Sequence, residues 1–305
     1  MTTYKYSLAK KGKWICPECG KKTFVCYVDE AGNVLNERVG KCDRADHCGH
    51  HYTPRDYFNE NPNAPQAHQS LKTHRPQPLP QPSYMKSELM KQSLRHFDNN
   101  NFTRFLKSKF GKTLANEMIE RYFIGTSKHW PGATVFWQLD GYGRVHAGKV
   151  MLYDEATGKR VKEPSNCLTW AHSALKLDNF NLSQCLFGEH LLKNDPRPVL
   201  VHESEKTAII AGSLMTDYIS VACGGLTNLT RHRCSALMGR DVILCPDNGC
   251  FDKWKDVVTD TKKFPRFFFK SLKISTYMES HSTNKGDDIA DVILSLMDSI
   301  NIVLP

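Results

Sequence analysis

Between residues 198 and 300 the chain alternates short apolar runs with helical stretches. Strands are expected over 198–202, 218–222, 241–245 and 269–275, and helices over 204–215, 228–238, 252–260 and 287–300. Alternation of this kind builds a parallel sheet covered by helices. Two of the strands end abruptly on a carboxylate: Pro198-Val199-Leu200-Val201-His202 runs into Glu203, and Asp241 to Pro246 runs into Asp247. Residues just past the carboxyl ends of parallel strands line the ligand crevice, so Glu203 and Asp247 are expected side by side. Paired carboxylates are hard oxygen ligands suited to magnesium and, through it, to phosphate. Lys285-Gly286-Asp287-Asp288 follows the last strand and adds Asp287 and Asp288. Three acidic strand ends in one sheet repel unless they share a cation or a proton.

The other chemistry-bearing pattern lies at the N-terminus. Five of the eleven cysteines fall within the first 48 residues. Cys16-Pro17-Glu18-Cys19-Gly20 is a C-x2-C-G knuckle, and Cys42 with Cys48 forms a second pair after an insert of 22 residues that reads as a hairpin. Two such pairs supply the four soft ligands of a tetrahedral zinc, and a module this small needs its metal to fold. The fourth ligand is Cys48 or one of His47, His50 and His51; Gly49 permits the tight turn of a knuckle and favours Cys48. Cys26, inside a strand of the insert, reads as a small buried hydrophobe.

A cysteine-rich domain over 1–60 is therefore expected, followed by a Pro/Gln-rich linker over 61–83 that cannot build a core. Residues 84–186 read as a basic helical and β subdomain, and 187–305 as the acidic α/β domain. The subdomain has helical periodicity over 84–122, then a hairpin at Asp140-Gly141 between 134–139 and 144–153. The formal net charge is +9, and residues 61–125 carry ten Lys or Arg against four acids, a surplus of six. Arg95, Arg104, Lys107 and Lys109 would face an acidic partner such as nucleic acid. Trp130, Trp137, Trp170 and Trp254 could stack bases, although aromatics in strands more often serve the core. The absence of a long apolar run and of a signal-peptide core points to a soluble cytoplasmic protein without a membrane partner. Thr157-Gly158-Lys159-Arg160 is not a P-loop, since Tyr153 stands where glycine is required and no Ser or Thr follows Lys159, so any helicase would act in trans.

With these residues in view, the chain resembles the Toprim domain of topoisomerases and primases, and more closely the bacterial replicative primases. Leu200 to Ala208 is similar to the family's strand ending in glutamate, Cys223-Gly224-Gly225 to its small-residue turn, Val242 to Asp247 to its aspartate strand, and Lys285 to Asp288 to its last acidic loop. Gly143-Arg144-Val145 through Gly148-Lys149 resembles the basic stretch that faces template and nucleotide. The likeness covers most of 14–60 and 134–296. Two positions depart from it: Gly249 stands where the family has a second aspartate, with Asp252 the nearest substitute, and Ser204 stands where it usually has glycine.

The resemblance implies an α/β fold in which an N-terminal zinc ribbon and a small basic α+β subdomain precede a Toprim-like parallel sheet. It implies a DNA primase that makes short RNA primers on single-stranded DNA from ribonucleoside triphosphates, in plasmid or mobile-element replication. Glu203 would act as acid or base and as a ligand of magnesium or manganese, Asp247, Asp287 and Asp288 as further ligands, and Arg144, Lys149 and Lys206 as phosphate partners. Loss of the second aspartate favours two rivals: a catalytically impaired DNA-binding protein and a Toprim nuclease working with one metal.

Overall fold

The computed structural model describes residues 6–62, 64, 81–163 and 166–300. They fall into two compact units, residues 1–78 and 79–305. The linker expected over 61–83 lies, apart from its ends, outside the described residues.

The first unit is an antiparallel sheet in the order β1 (Ser7–Leu8), β2 (Phe24–Val28), β3 (Gly40–Cys42), β4 (His51–Tyr52). Helix α1 (Pro54–Glu60) follows. Pro54 at its first position and a capping box between Thr53 and Asp56 fix where it starts. Gly40 is a close-approach glycine: a Cβ there would lie 2.3 Å from the carbonyl oxygen of Val25. Phe24, Cys16, Cys26 and Cys42 form the small buried centre.

The second unit holds two sheets. Helices α2 (Ser87–Ser93) and α3 (Asn101–Arg121) open it, α3 breaking at Gly111 with φ +75°. An antiparallel sheet follows in the order β5 (Ile124–Thr126), β6 (Thr134–Leu139), β7 (Val145–Met151), β8 (Leu168–Trp170), then the short α4 (Ala171–Ala174). The hairpin turns at Asp140, whose carboxylate accepts the N–H groups of Tyr142 and Arg144. The parallel sheet has the order β10 (Ile219–Ala222), β9 (Val199–His202), β11 (Asp241–Cys245), β12 (Ser271–Ile274). Its helices are α5 (Glu205–Leu214), α6 (Phe251–Thr259), α7 (Tyr277–His281) and α8 (Ile289–Ile300). The fold is thus mixed α/β, with a parallel sheet flanked by helices.

One buried cluster joins Phe105 and Phe110 of α3, Phe136 of β6 and Ile209 of α5, so the two sheets share a core through α3 and α5. A second cluster, with Trp254 at its centre, fills the other face of the parallel sheet. Trp137 sits in a third, beneath α2 and α4. Trp137 and Trp254 are core residues, whereas Trp130 and Trp170 are half-buried.

One expected helix does not form. Residues 228–238 instead make two 3-10 turns, Leu226–Asn228 and Ser235–Leu237. The reason lies in Arg233, which is buried and donates to the carbonyl of Cys223 and to Gln184, while its N–H is taken by the Thr230 hydroxyl. Bonds that tie Arg233 to distant segments, with the local bond at Thr230, hold this stretch out of a helical ladder.

Candidate metal centres

In the first unit both knuckles close on left-handed glycines: Gly20, at φ +66°, donates to Cys16 O, and Gly49, at φ +65°, donates to Arg44 O. The turns bring Cys16 Sγ to 3.7 Å from Cys48 Sγ and Cys19 Sγ to 4.0 Å from Cys42 Sγ. All four sulfurs lie within 4.8 Å of one another. Four bonds of about 2.3 Å to a tetrahedral zinc would set sulfurs about 3.8 Å apart, so the set fits that ion. The histidines point to other work. His51 bonds the Tyr27 hydroxyl at 3.0 Å, the His50 ring lies against Phe24, and His47 is exposed. Cys26 is fully buried beside the Glu37 carbonyl, and burial raises its thiol. A backbone hydrogen bond at Lys21 pulls Cys19 down to about 6. Cys48 is pushed up to about 12: the His50 backbone lowers it, but burial and the sulfurs of Cys16, Cys19 and Cys42 outweigh that. Thiols this crowded ionise together only around a cation.

In the second unit, β9 and β11 are parallel neighbours with His202 opposite Cys245, so both strands deliver their next residues to the same edge. Asp247 N–H donates to Glu203 Oε1 at 3.4 Å. Burial first, and the Glu203 carboxylate next, push Asp247 up to about 9, with Asp288 and Asp291 adding to the effect and Lys206 opposing it. Cys250, which opens α6, is raised to about 12 by burial and by the same two carboxylates. His202, directly before Glu203, offers no counter-charge: burial drives it down to about 3.

The acidic loop is organised by a helix cap. Asp288 Oδ1 accepts the Asp291 N–H at 3.0 Å, Asp291 Oδ2 accepts the Asp288 N–H at 3.1 Å, and Thr207 donates its hydroxyl to Asp288 Oδ2 at 2.5 Å. Asp291 also takes the Lys206 ammonium at 3.0 Å. Asp287 turns toward its own loop, where Ser282 and Asn284 bond it at 2.6 and 3.2 Å. The structure therefore brings Glu203, Asp288 and Asp291 near enough to Asp247 to raise it, while Asp252 is exposed on α6. Sequence reasoning left Asp291 out of the site. Its signal was the three-residue spacing from Asp288, which is that of a capping box. Glu279 was also missed. Its Oε1 accepts the N–H groups of Gly249 and Phe251 at 2.9 and 3.3 Å, covering the start of α6 where the second aspartate was lacking. Among the described residues, only the four cysteines bring three or more donor atoms within 4.8 Å of one another. The acids are gathered without forming a closed cage, an arrangement suited to a hard cation that keeps several waters.

Of the basic residues, Lys149 Nζ lies 3.0 Å from each oxygen of Glu205 and 3.2 Å from Gly224 O, nearly buried. Arg144 bonds Asp140 at 2.6 Å and lies over the rings of Tyr84 and Tyr142. Arg104, Lys107 and Lys109 pair with Glu155, Asp98 and Asp298 at 2.5, 2.7 and 2.6 Å.

Residues 4–63 match a family model described as a zinc beta-ribbon finger, and residues 100–248 match one described as a domain of unknown function, DUF6371. The N-terminal unit is zinc-ribbon-like. No curated protein matches. Among solved structures, the chain is similar to the primase fragment of the bacteriophage T7 primase-helicase protein, at 15% identity and a TM-score of 0.41 over 96% of this chain and 97% of that one. It is likewise similar to the E. coli primase catalytic core, at 14% identity and a TM-score of 0.40 over 67% and 74%. A DnaG primase catalytic domain bound to single-stranded DNA gives 15% and 0.41 over 72% and 80%. Among the described residues, no helix is long and apolar enough to cross a membrane.

Proposed function

We propose that the chain is a primase-like nucleotidyltransferase that synthesises short RNA primers on single-stranded DNA. The observation that carries this reading is the meeting of Glu203 and Asp247 at the ends of adjacent parallel strands, with Asp247 raised to about 9. A carboxylate pair this strained is relieved by a divalent cation, and Glu203 and Asp247 would hold magnesium or manganese, which supplies charge neutralisation for an incoming triphosphate. Glu203 then accepts the proton of the attacking hydroxyl, Lys206 and Arg144 neutralise phosphate oxygens, and the zinc ribbon holds the template. Lys149 serves the same cleft by fixing Glu205, the first residue of α5, against the Gly224 turn. The reading extends to plasmid or mobile-element replication, with the helicase supplied by a separate chain.

Two observations favour the reading of weakened catalysis. Gly249 has φ +81°, a left-handed turn in which an aspartate is disfavoured, and Asp288 is committed to Thr207 and to the cap of α8. Fewer carboxylates then remain for a second metal, which suits a DNA-binding relic or a one-metal nuclease.

Single-stranded template, labelled ribonucleotides and magnesium decide among the three. Short RNA products support the primase, a shortened template the nuclease, and binding without either product the relic. Glu203→Gln is expected to cut product formation about a hundredfold or more while leaving folding and DNA binding nearly unchanged, since the carboxylate acts only on the reacting centre. Undiminished catalysis in that variant overturns the role of Glu203.

A further inference from the structure

The parallel sheet ends on β12, which pairs with β11 on one side and, among the described residues, with no strand on the other. The N–H groups of Ser271 and Ser275 reach Arg240 O and Leu244 O at 3.4 and 2.8 Å. Alternate residues of a parallel strand face the same neighbour, so Leu272 and Ile274 turn their N–H and C=O groups outward. The chain enters this edge through Phe264-Pro265-Arg266-Phe267-Phe268-Phe269-Lys270. Phe264 and Phe268 are buried in the Trp254 cluster with Phe269 packed against it, their ring centroids 4.8 to 5.5 Å apart. Gly239 N–H donates to Phe268 O at 2.9 Å and ties the Met238 turn to the same loop. The loop is thus pinned by three rings, yet Phe267 among them is 89% exposed and Met238 is 68% exposed. Two large apolar side chains held in water beside an unfilled strand edge add nothing to the core. The charge around them is one-sided: residues 260–275 carry five Lys or Arg and one acid. Lys263 pairs with Asp260 and Lys270 with Asp241, whereas Lys262, Arg266 and Lys273 are exposed and, among the described residues, enter no ion pair.

We propose that β12 receives an extended segment of another protein, acidic and carrying one bulky apolar residue, as a fifth strand of the sheet. Its backbone takes the outward groups of Leu272 and Ile274, its carboxylates meet Arg266 and Lys273, and its apolar residue seats on Phe267 and Met238. Charge rejects a second copy of this chain, since pairing the edge with itself sets lysine against lysine; Lys270 and Lys273 guard the edge in that sense while admitting an acidic strand. Nucleic acid or an anionic membrane would use the cations and leave the backbone edge idle. The surface goes beyond the primase reading and is independent of it: Phe267 lies at the starting end of β12, whereas Glu203 and Asp247 follow the carboxyl ends of their strands.

The test uses the full zinc-loaded chain and a fluorescein-labelled peptide that alternates glutamate with valine around one central phenylalanine. Anisotropy reads binding, and amide hydrogen exchange reads its place. The peptide should slow exchange at Leu272 and Ile274 and leave Lys273, already in the ladder to β11, unchanged. Phe267→Ser should weaken binding about tenfold. Arg266→Glu with Lys273→Glu should weaken it by at least as much and flatten its salt dependence. Leu272→Pro removes an outward N–H without touching the ladder to β11 and should abolish binding. Thermal melts establish that the variants fold, and the three exposed positions keep the test decisive should Leu272→Pro not. Absence of peptide binding, unchanged exchange at Leu272 and Ile274, or equal binding of a peptide with lysine in place of glutamate overturns the proposal. So does oligothymidylate, or a vesicle of equal parts phosphatidylserine and phosphatidylcholine, that binds more tightly than the peptide and loses binding with the same substitutions. Glu203→Gln should bind the peptide as wild type does, so a failure of primer synthesis leaves this edge standing, and a failure of peptide binding leaves the primase reading untouched.

Discussion

The two candidate metal centres solve the same electrostatic problem in opposite ways. In the ribbon, four thiols from two glycine-closed knuckles sit within 4.8 Å of one another and approach tetrahedral spacing. In the α/β unit, four carboxylates gather at the carboxyl edge of a parallel sheet, two of them tied up by Lys206, Thr207 and the cap of α8. A closed soft set gains its stability from the ion, whereas an open hard set keeps coordination places for substrate. The ribbon should therefore depend on its metal for folding, and the acidic cleft for chemistry alone.

Removing zinc tests the first half of that statement and carries the largest effect. Chelation, or Cys16→Ser, should unfold the N-terminal unit outright, since structural zinc contributes about 10–16 kcal/mol in small modules. Loss of NMR dispersion for residues 6–62 together with loss of one zinc per chain is the expected outcome. A ribbon still folded without metal would erase the contrast.

Next in size is the buried pair of Lys149 and Glu205, whose side chains are 8% and 2% exposed. Removing one partner leaves a buried charge and costs about 3–5 kcal/mol. Lys149→Met should lower the melting temperature of the second unit by about 10 °C. Lys149→Met with Glu205→Leu should recover most of it, because the penalty is the orphaned carboxylate. A single variant that melts like wild type would mean that the two sheets are not clasped there.

How far these residues could be read from the sequence depended on whether their partners were local. The strand ends at Glu203 and Asp247 and the cysteine knuckles are written in neighbouring residues, and all were legible. Lys149 read as a phosphate partner because nothing near it in the chain announces Glu205, 56 residues away. The helix expected at 228–238 failed for the same reason, since Arg233 is held by Cys223 and by Gln184, 49 residues distant. Glu279 was invisible because its role, covering the Gly249 and Phe251 amides, exists only once α6 and α7 are packed.

A third effect, smaller over any one pH unit, separates the acidic cleft from the ribbon by pH. Asp247 is raised to about 9, so the folded protein keeps a proton that the unfolded chain, near 3.9, has lost. The stabilisation is complete below the unfolded value and is lost as pH rises through the folded one. Without divalent ion, stability should thus fall with pH across that window by at most about 1.4 kcal/mol per unit, a single proton shared with Glu203. Asp247→Asn should flatten the fall, and magnesium at pH 8 should raise the melting temperature of wild type but not of the variant. Parallel pH profiles for the two proteins would remove the evidence that the carboxylates are coupled.

The smallest effect lies inside the ribbon and sharpens the boundary of its metal set. Cys26 is as buried as Cys16, yet its sulfur lies by the Glu37 carbonyl and outside the group formed by Cys16, Cys19, Cys42 and Cys48. If it is only a small hydrophobe on β2, Cys26→Ala removes one sulfur from a close-packed centre and costs about 1 kcal/mol, with zinc still bound at one per chain. Cys48→Ala breaks the tetrahedron and should lose the metal altogether. Zinc analysis and a melt of each variant decide the matter. A Cys26→Ala protein that loses zinc, or a Cys48→Ala protein that keeps it with His47 or His50 moved inward, would replace the four-cysteine set with a different one and leave the knuckle at Gly49 without its metal.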